Sequence, residues 1–144
     1  MNKRMLFLSA IITLLLSNIL YAQTSQDITL KPGFNFISFS KSIALTPTEL
    51  KSQNTSIEDI YLFSPSAGSF LSHSEGTLTT LSSGKGYIIK TNSSTDVKLS
   101  INGNEITSAI TVNLKAGFNL IGFSQTPSTY TFDKLMSENS IIKG

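Results

Sequence analysis

"KPGFNFISFS" at residues 31–40 returns as "KAGFNLIGFS" at residues 115–124, and this repeated decapeptide decides how the rest of the chain divides. A shift of 84 residues lays Ile28, Leu30, Lys31, Gly33, Phe34, Asn35, Ile37, Phe39 and Ser40 on Val112, Leu114, Lys115, Gly117, Phe118, Asn119, Ile121, Phe123 and Ser124, with the same or nearly the same residue at nine of thirteen positions. Farther on, a shift of 85 aligns Thr46, Leu50, Ser52 and Asn54 with Thr131, Leu135, Ser137 and Asn139, so one residue has been inserted between. Self-similarity of this kind marks a modular chain. Residues 28–108 read as one complete module and residues 109–144 as an incomplete second copy, whose last residue falls opposite Asp59 or Ile60.

The decapeptide opens on a turn. Lys31-Pro32-Gly33-Phe34 has Pro second and Gly third, the type II arrangement in which Pro presets φ and Gly accepts a positive φ. The second copy keeps the demanding residue as Gly117 and replaces Pro32 by Ala116. Before the turn, Ile28 and Leu30 alternate with polar residues; after it, Phe34 to Phe39 is mostly apolar. The pattern predicts a half-buried strand that hairpins into a strand covered on both faces. Asn35 and Asn119 recur between two large apolar residues. A buried amide left without partners costs about 1–3 kcal/mol, so both are expected to tie the loop by hydrogen bonds in the core.

Next comes Thr46-Pro47-Thr48-Glu49, a helix start with a cap, a first-turn Pro and a Glu placed to complete a capping box. Thr131-Phe132-Asp133-Lys134 repeats it without the Pro or the Glu. Strands are predicted at 57–63, 69–72, 86–91 and 97–101. Asn102-Gly103 carries the two-residue hairpin signal, with a return through Glu105, Ile106 and Thr107. Gly86 is expected in a turn admitting the strand that follows. Short strands between Gly, Ser, Pro and Asn turns, with one short helix per repeat, predict a mainly β fold: a small barrel or sandwich of antiparallel strands.

The phrases Gly33-Phe34-Asn35-Phe36-Ile37-Ser38, Ile60-Tyr61-Leu62-Phe63, Gly84-Lys85-Gly86-Tyr87-Ile88-Ile89 and Leu99-Ser100-Ile101-Asn102-Gly103 resemble a β-rich bacterial module with "GWNLISLP" and "GxGYWI" motifs. That module occurs in secreted and cell-surface proteins, sometimes in tandem. The resemblance covers about residues 28–104 and part of 111–144. It departs at Phe34 and Phe118, where the family has Trp, and at Ile88, where a second aromatic is common. It transfers no catalytic residue, and the family's members are largely of unassigned function.

Composition points to the same compartment. Met1 to Ala22 has a basic start at Lys3 and Arg4, an apolar run from Met5 to Leu20 and a small residue at Ala22, the layout of a signal peptide. Residues 23–27 then read as a linker. An uncleaved anchor is the alternative, the run being at the short end for a spanning helix. Removing Lys3 and Arg4 from the 11 basic residues leaves nine against 9 Asp and Glu, a neutral chain without a basic stripe. Such a surface offers no footprint for nucleic acid or, after cleavage, for a membrane. The expected location is periplasmic, extracellular or on the cell surface. With no cysteine, the module must be held by its apolar core.

Chemistry is sparse. His73 is the single histidine, and the carboxylates show no metal-ligand spacing, so no metal, cofactor or catalytic residue is assigned. Gly84-Lys85-Gly86 lacks the preceding Gly and following Ser or Thr of a phosphate loop. Nothing resembles a nucleophile elbow. What remains is a set of aromatics on neighbouring strands, Tyr61, Phe63, Phe70 and Tyr87. They make either a shared core or a surface on which a sugar ring stacks. The expected function is a structural or interaction module whose partner is another exported protein or further repeats of the chain. The alternative is a carbohydrate-binding module of a surface hydrolase, bound to cell-surface carbohydrate.

Overall fold

The computed structural model describes residues 24–125 and 129–142; the expected signal peptide lies outside them. The fold is mainly β. Its strands are β1 (Thr24–Leu30), β2 (Gly33–Ser38), β3 (Lys41–Ser42), β4 (Ile57–Ser64), β5 (Ser69–Ser72), β6 (Gly86–Thr91) and β7 (Val97–Glu105), with short helices α1 (Pro47–Gln53) and α2 (Phe132–Glu138). They form two antiparallel sheets, ordered β1-β7-β3 and β2-β6-β4-β5. Neither sheet closes into a barrel.

Strand β1 begins before the expected module boundary. Thr24 to Asp27, four of the five residues read as linker, pair with Gly103 to Ser100 of β7. Thr24 to Asp27 contain no apolar residue, so the alternation that marks a strand in the sequence begins only at Ile28.

The Pro-Gly turn does not make a hairpin. Strand β1 pairs with β7, whereas β2 pairs with β6 from Gly33↔Thr91 to Ser38↔Gly86. The turn is a corner that carries the chain from one sheet to the other. Gly33 sits at φ 84°, the conformation the turn needs. The Asn35 amide explains the divergence: its Oδ1 accepts from Lys31 N–H at 2.7 Å, and its Nδ2 donates to the carbonyls of Lys31 at 2.8 Å and Gly33 at 3.1 Å. Lys31 is thereby supplied with partners that a hairpin would draw from Phe34. Thr91 adds to the corner, its Oγ1 accepting from Gly33 N–H and donating to the Lys31 carbonyl at 3.0 Å. Across the two layers, Gln26 donates to the Ser38 carbonyl at 3.0 Å and accepts from Ser40 N–H at 2.8 Å.

Strand β2 is covered on one face only. Phe34 and Phe36 are 63% and 72% exposed, while Asn35 and Ile37 are half-buried. The two phenylalanines lie two residues apart and so share a face, and that face is left largely open around them. Strand β7 also departs from expectation, running through Asn102 and Gly103 to Glu105 without turning. A Cβ on Gly103 would lie 2.7 Å from both Lys41 Cβ and the Ser42 carbonyl. This glycine makes room for β3; it does not make a turn.

Leu30, Leu99 and Ile101 from one sheet meet Ile60, Tyr87 and Ile89 from the other, with Phe39 and Leu50 completing the core. Helix α1 closes one end through Leu50. Thr46 and Glu49 form the full capping box, Glu49 Oε2 accepting from Thr46 N–H at 2.8 Å and Thr46 Oγ1 accepting from Glu49 N–H at 3.2 Å. That reciprocity satisfies two otherwise unpaired donors of the first turn and holds the Glu49 carboxyl below its ordinary value.

The second repeat keeps the corner and the helix but not the strands. Gly117 has φ 90°, and Asn119 accepts from Lys115 N–H at 3.0 Å and donates to the Lys115 and Gly117 carbonyls at 2.7 and 2.9 Å. Thr131 caps α2 by accepting from Lys134 N–H. The apolar pattern around the turn recurs over 110–123 without making a hairpin there; the segment makes one bridge, Ile121 with Lys85. Among the described residues no second pair of strands like β6 and β7 lies beside it, so the repeated corner keeps its local hydrogen bonds without a ladder.

Candidate functional site

The register of the four-stranded sheet sorts the aromatics by face, because residues directly opposite on neighbouring strands point the same way. Phe36 lies opposite Ile88, and Ile88 opposite Tyr61; Phe34 lies opposite Lys90, and Lys90 opposite Asp59; Phe63 lies opposite Phe70. All of these stand on the outer face. Tyr87 stands on the inner one, where it is 0% exposed, 5.4 Å from the Phe39 ring, with its hydroxyl accepting from Ser82 N–H at 2.9 Å. The four aromatics therefore do not act together: Tyr87 belongs to the core, and Tyr61, Phe63 and Phe70 belong to the outer surface.

Sequence reasoning missed Phe34 and Phe36, the most open members of that surface. The signal was present in the spacing Phe-Asn-Phe, which puts both rings on one side and Asn35 on the other.

The second repeat is seated at one end of the same face. The Phe118 ring meets Phe63 edge-on at 4.8 Å and 84°, and Phe63 meets Phe70 at 5.3 Å and 72°. Gly86 N–H donates to the Leu120 carbonyl and Gly122 N–H to the Gly84 carbonyl, both at 3.3 Å. Glycine is needed on both sides of this contact for space. A Cβ on Gly86 would come within 2.8 Å of Leu120 Cγ and 2.9 Å of the Ile121 carbonyl, and one on Gly122 within 2.3 Å of Ser38 Cβ. Gly86 opens β6, and the positive φ of the preceding turn belongs to Gly84. So Gly86 is a contact residue where a turn residue was expected. Between the module and the second repeat lies a cleft of about 410 Å³, lined by Leu62, Phe63, Leu71, Ile110 and Leu120 and, for polar groups, by hydroxyls, amides and Lys85.

Electrostatics frame the open end. Lys90 pairs with Glu58 at 2.5 Å and lies 5.7 Å over the Phe34 ring. The Glu58 hydrogen bond raises the Lys90 ammonium above its usual value. Burial and the neighbouring Asp59 carboxylate raise Tyr61. Burial alone would raise Asp59, yet its carboxyl is held low by hydrogen bonds from Ser74 Oγ at 2.6 Å, Ile60 N–H at 2.8 Å and Ser74 N–H at 3.1 Å. That carboxylate anchors the loop after β5 to β4.

Among the described residues, no group of three or more His, Cys, Asp and Glu could hold a metal, and no helix is long and apolar enough to cross a membrane. Comparison with protein-family models, with curated proteins and with solved structures finds no match to this chain.

Proposed function

We propose that this chain is a non-catalytic structural or interaction module of an exported bacterial surface protein, built as a small β-sandwich, with the outer face of its four-stranded sheet as the contact surface. The observation that carries the reading is the open Phe34–Phe36 pair on a face where the second repeat already sits through Phe118 and Leu120. Large apolar side chains left in water on one continuous surface mark a place where another macromolecule binds. The signal-like first 22 residues and the resemblance to modules of secreted proteins support export. The cleft's lining, without a carboxylate or a histidine, supports a non-catalytic role.

The Phe63 ring is already engaged by Phe70 and Phe118 of the same chain, and this apolar contact between protein side chains favours protein contact over sugar binding on the same face. A photo-crosslinking residue placed at position 36 in the cell that makes the protein should label protein bands, whereas one at Lys98 on the other sheet should not. Equal labelling from both positions would remove the basis for this reading. In parallel, retardation in polysaccharide gels that is lost in Phe36→Ala would assign the face to carbohydrate.

A further inference from the structure

Four strands lie at sheet edges: β1, β3, β2 and β5. An edge strand presents unpaired backbone groups to any other strand that approaches, and proteins blunt such edges by shortness, charge, proline or a bulge. Strand β3 has two residues and β5 four, and β1 carries the exposed Asp27. Strand β2 has none of these protections. Its six residues, Gly-Phe-Asn-Phe-Ile-Ser, contain no charge and no proline, and its pairing with β6 is continuous. Gln26 occupies the Ser38 carbonyl and the second repeat lies against Ser38, so the end of the strand is covered while Phe34 and Phe36 stay open.

We infer that β2 pairs with β2 of a second copy of this chain, antiparallel about a two-fold axis through Asn35. The inference rests on the proposed role of this face and names its partner. The argument for a second copy is the symmetry of the segment itself. An axis at Asn35 sets Phe34 of each chain opposite Phe36 of the other, both on the outer face, and such self-complementarity is what an isologous interface requires. The four-stranded sheets then join into one, and the new aromatic row continues the surface already formed by Ile88, Tyr61, Phe63 and Phe118. Asn35 keeps its bonds to Lys31 and Gly33, which lie within its own corner. The interface is polar at its rim, where Lys90 and Glu58 pair beside Phe34.

The chain has no cysteine, so a single introduced thiol reports on one contact. Directly opposed residues in an antiparallel pair have Cα atoms about 4.5–5.5 Å apart, within the range a disulfide spans. A mixture of Phe34→Cys and Phe36→Cys proteins should oxidise to a cross-linked dimer at least tenfold faster than either protein alone. Both positions face solvent, and a circular dichroism spectrum like that of the unmodified chain checks folding. Light scattering of the unmodified chain should show a mass that rises with concentration toward a dimer and returns to the monomer in Phe36→Lys. Homodimers from each single-thiol protein in place of the mixed dimer would overturn the antiparallel register. A monomer at every concentration would overturn the inference altogether; protein labelling from position 36 would then leave the interaction reading standing with a different partner.

Discussion

Replacing Gly86 by Val separates the glycines that serve space from those that serve φ. Gly86 lies in β6 without a positive φ, so Val brings no backbone strain and suits a strand. Its side chain would enter volume held by Leu120 Cγ at 2.8 Å and the Ile121 carbonyl at 2.9 Å. The seat it disturbs is weak. Leu120 and Ile121 are half-buried and Phe118 remains 60% exposed. At about 1.5–3 kcal/mol for each fully buried side chain, their partial burial contributes on the order of 2–4 kcal/mol. The two bridging hydrogen bonds add about 0.5–1.5 kcal/mol each. Overpacking costs about 1–3 kcal/mol, and it falls where Gly86 N–H donates to the Leu120 carbonyl, so that bond is lost with the packing. Residues 109–125 should therefore detach while the module stays folded. Hydrogen exchange read by mass spectrometry should show faster exchange over 109–125 and little change over β1 and β7. Unaltered exchange in that segment would mean that the contact accommodates a Cβ at Gly86, which the close approach of Leu120 and Ile121 does not allow.

Gly33→Val should act in the opposite way. Nothing lies within 4 Å of a Cβ there, but φ is 84°, so the cost is strain of about 1–3 kcal/mol, read as a lower melting temperature with the second repeat still protected. Asp59 sets an acid limit. Its carboxyl is held below the ordinary aspartate value in the folded chain, so its contribution is fully present above the unfolded pKa near 4 and is lost as pH falls through the folded value. Melting temperatures should drop below about pH 4, and Asp59→Asn should flatten that limb; an unchanged limb in the variant would assign acid sensitivity to another group.

The elements were largely legible because their signals are local. Alternation marked the second half of β1, the glycine before Tyr87 marked β6, and Thr46-x-x-Glu49 marked the start of α1 to the residue. The layers were not, because a Pro-Gly turn looks the same whether the chain returns along its own sheet or crosses to another. Here the choice was made by Asn35 and Thr91, the second lying 58 residues from Gly33 in sequence. Glycine was ambiguous for a related reason. Gly33 and Gly117 are set by their own φ, which turn chemistry reveals; Gly86 and Gly103 are set by distant atoms of Leu120 and Lys41, which it does not. The outer aromatic face fell between these cases, since its spacing was readable but its exposure depends on what the rest of the chain covers.

The second repeat sits on the outer face of the first module's sheet, beside the open phenylalanines. Nuclear Overhauser contacts in the full chain report this placement. With the ring centroids 4.8 Å apart, cross-peaks are expected between the Phe118 and Phe63 ring protons, together with Leu120 methyl contacts to the Gly86 α-protons. Sharp Phe118 resonances without any contact to Phe63 or Gly86, in a chain whose β2–β6 contacts are intact, would contradict it.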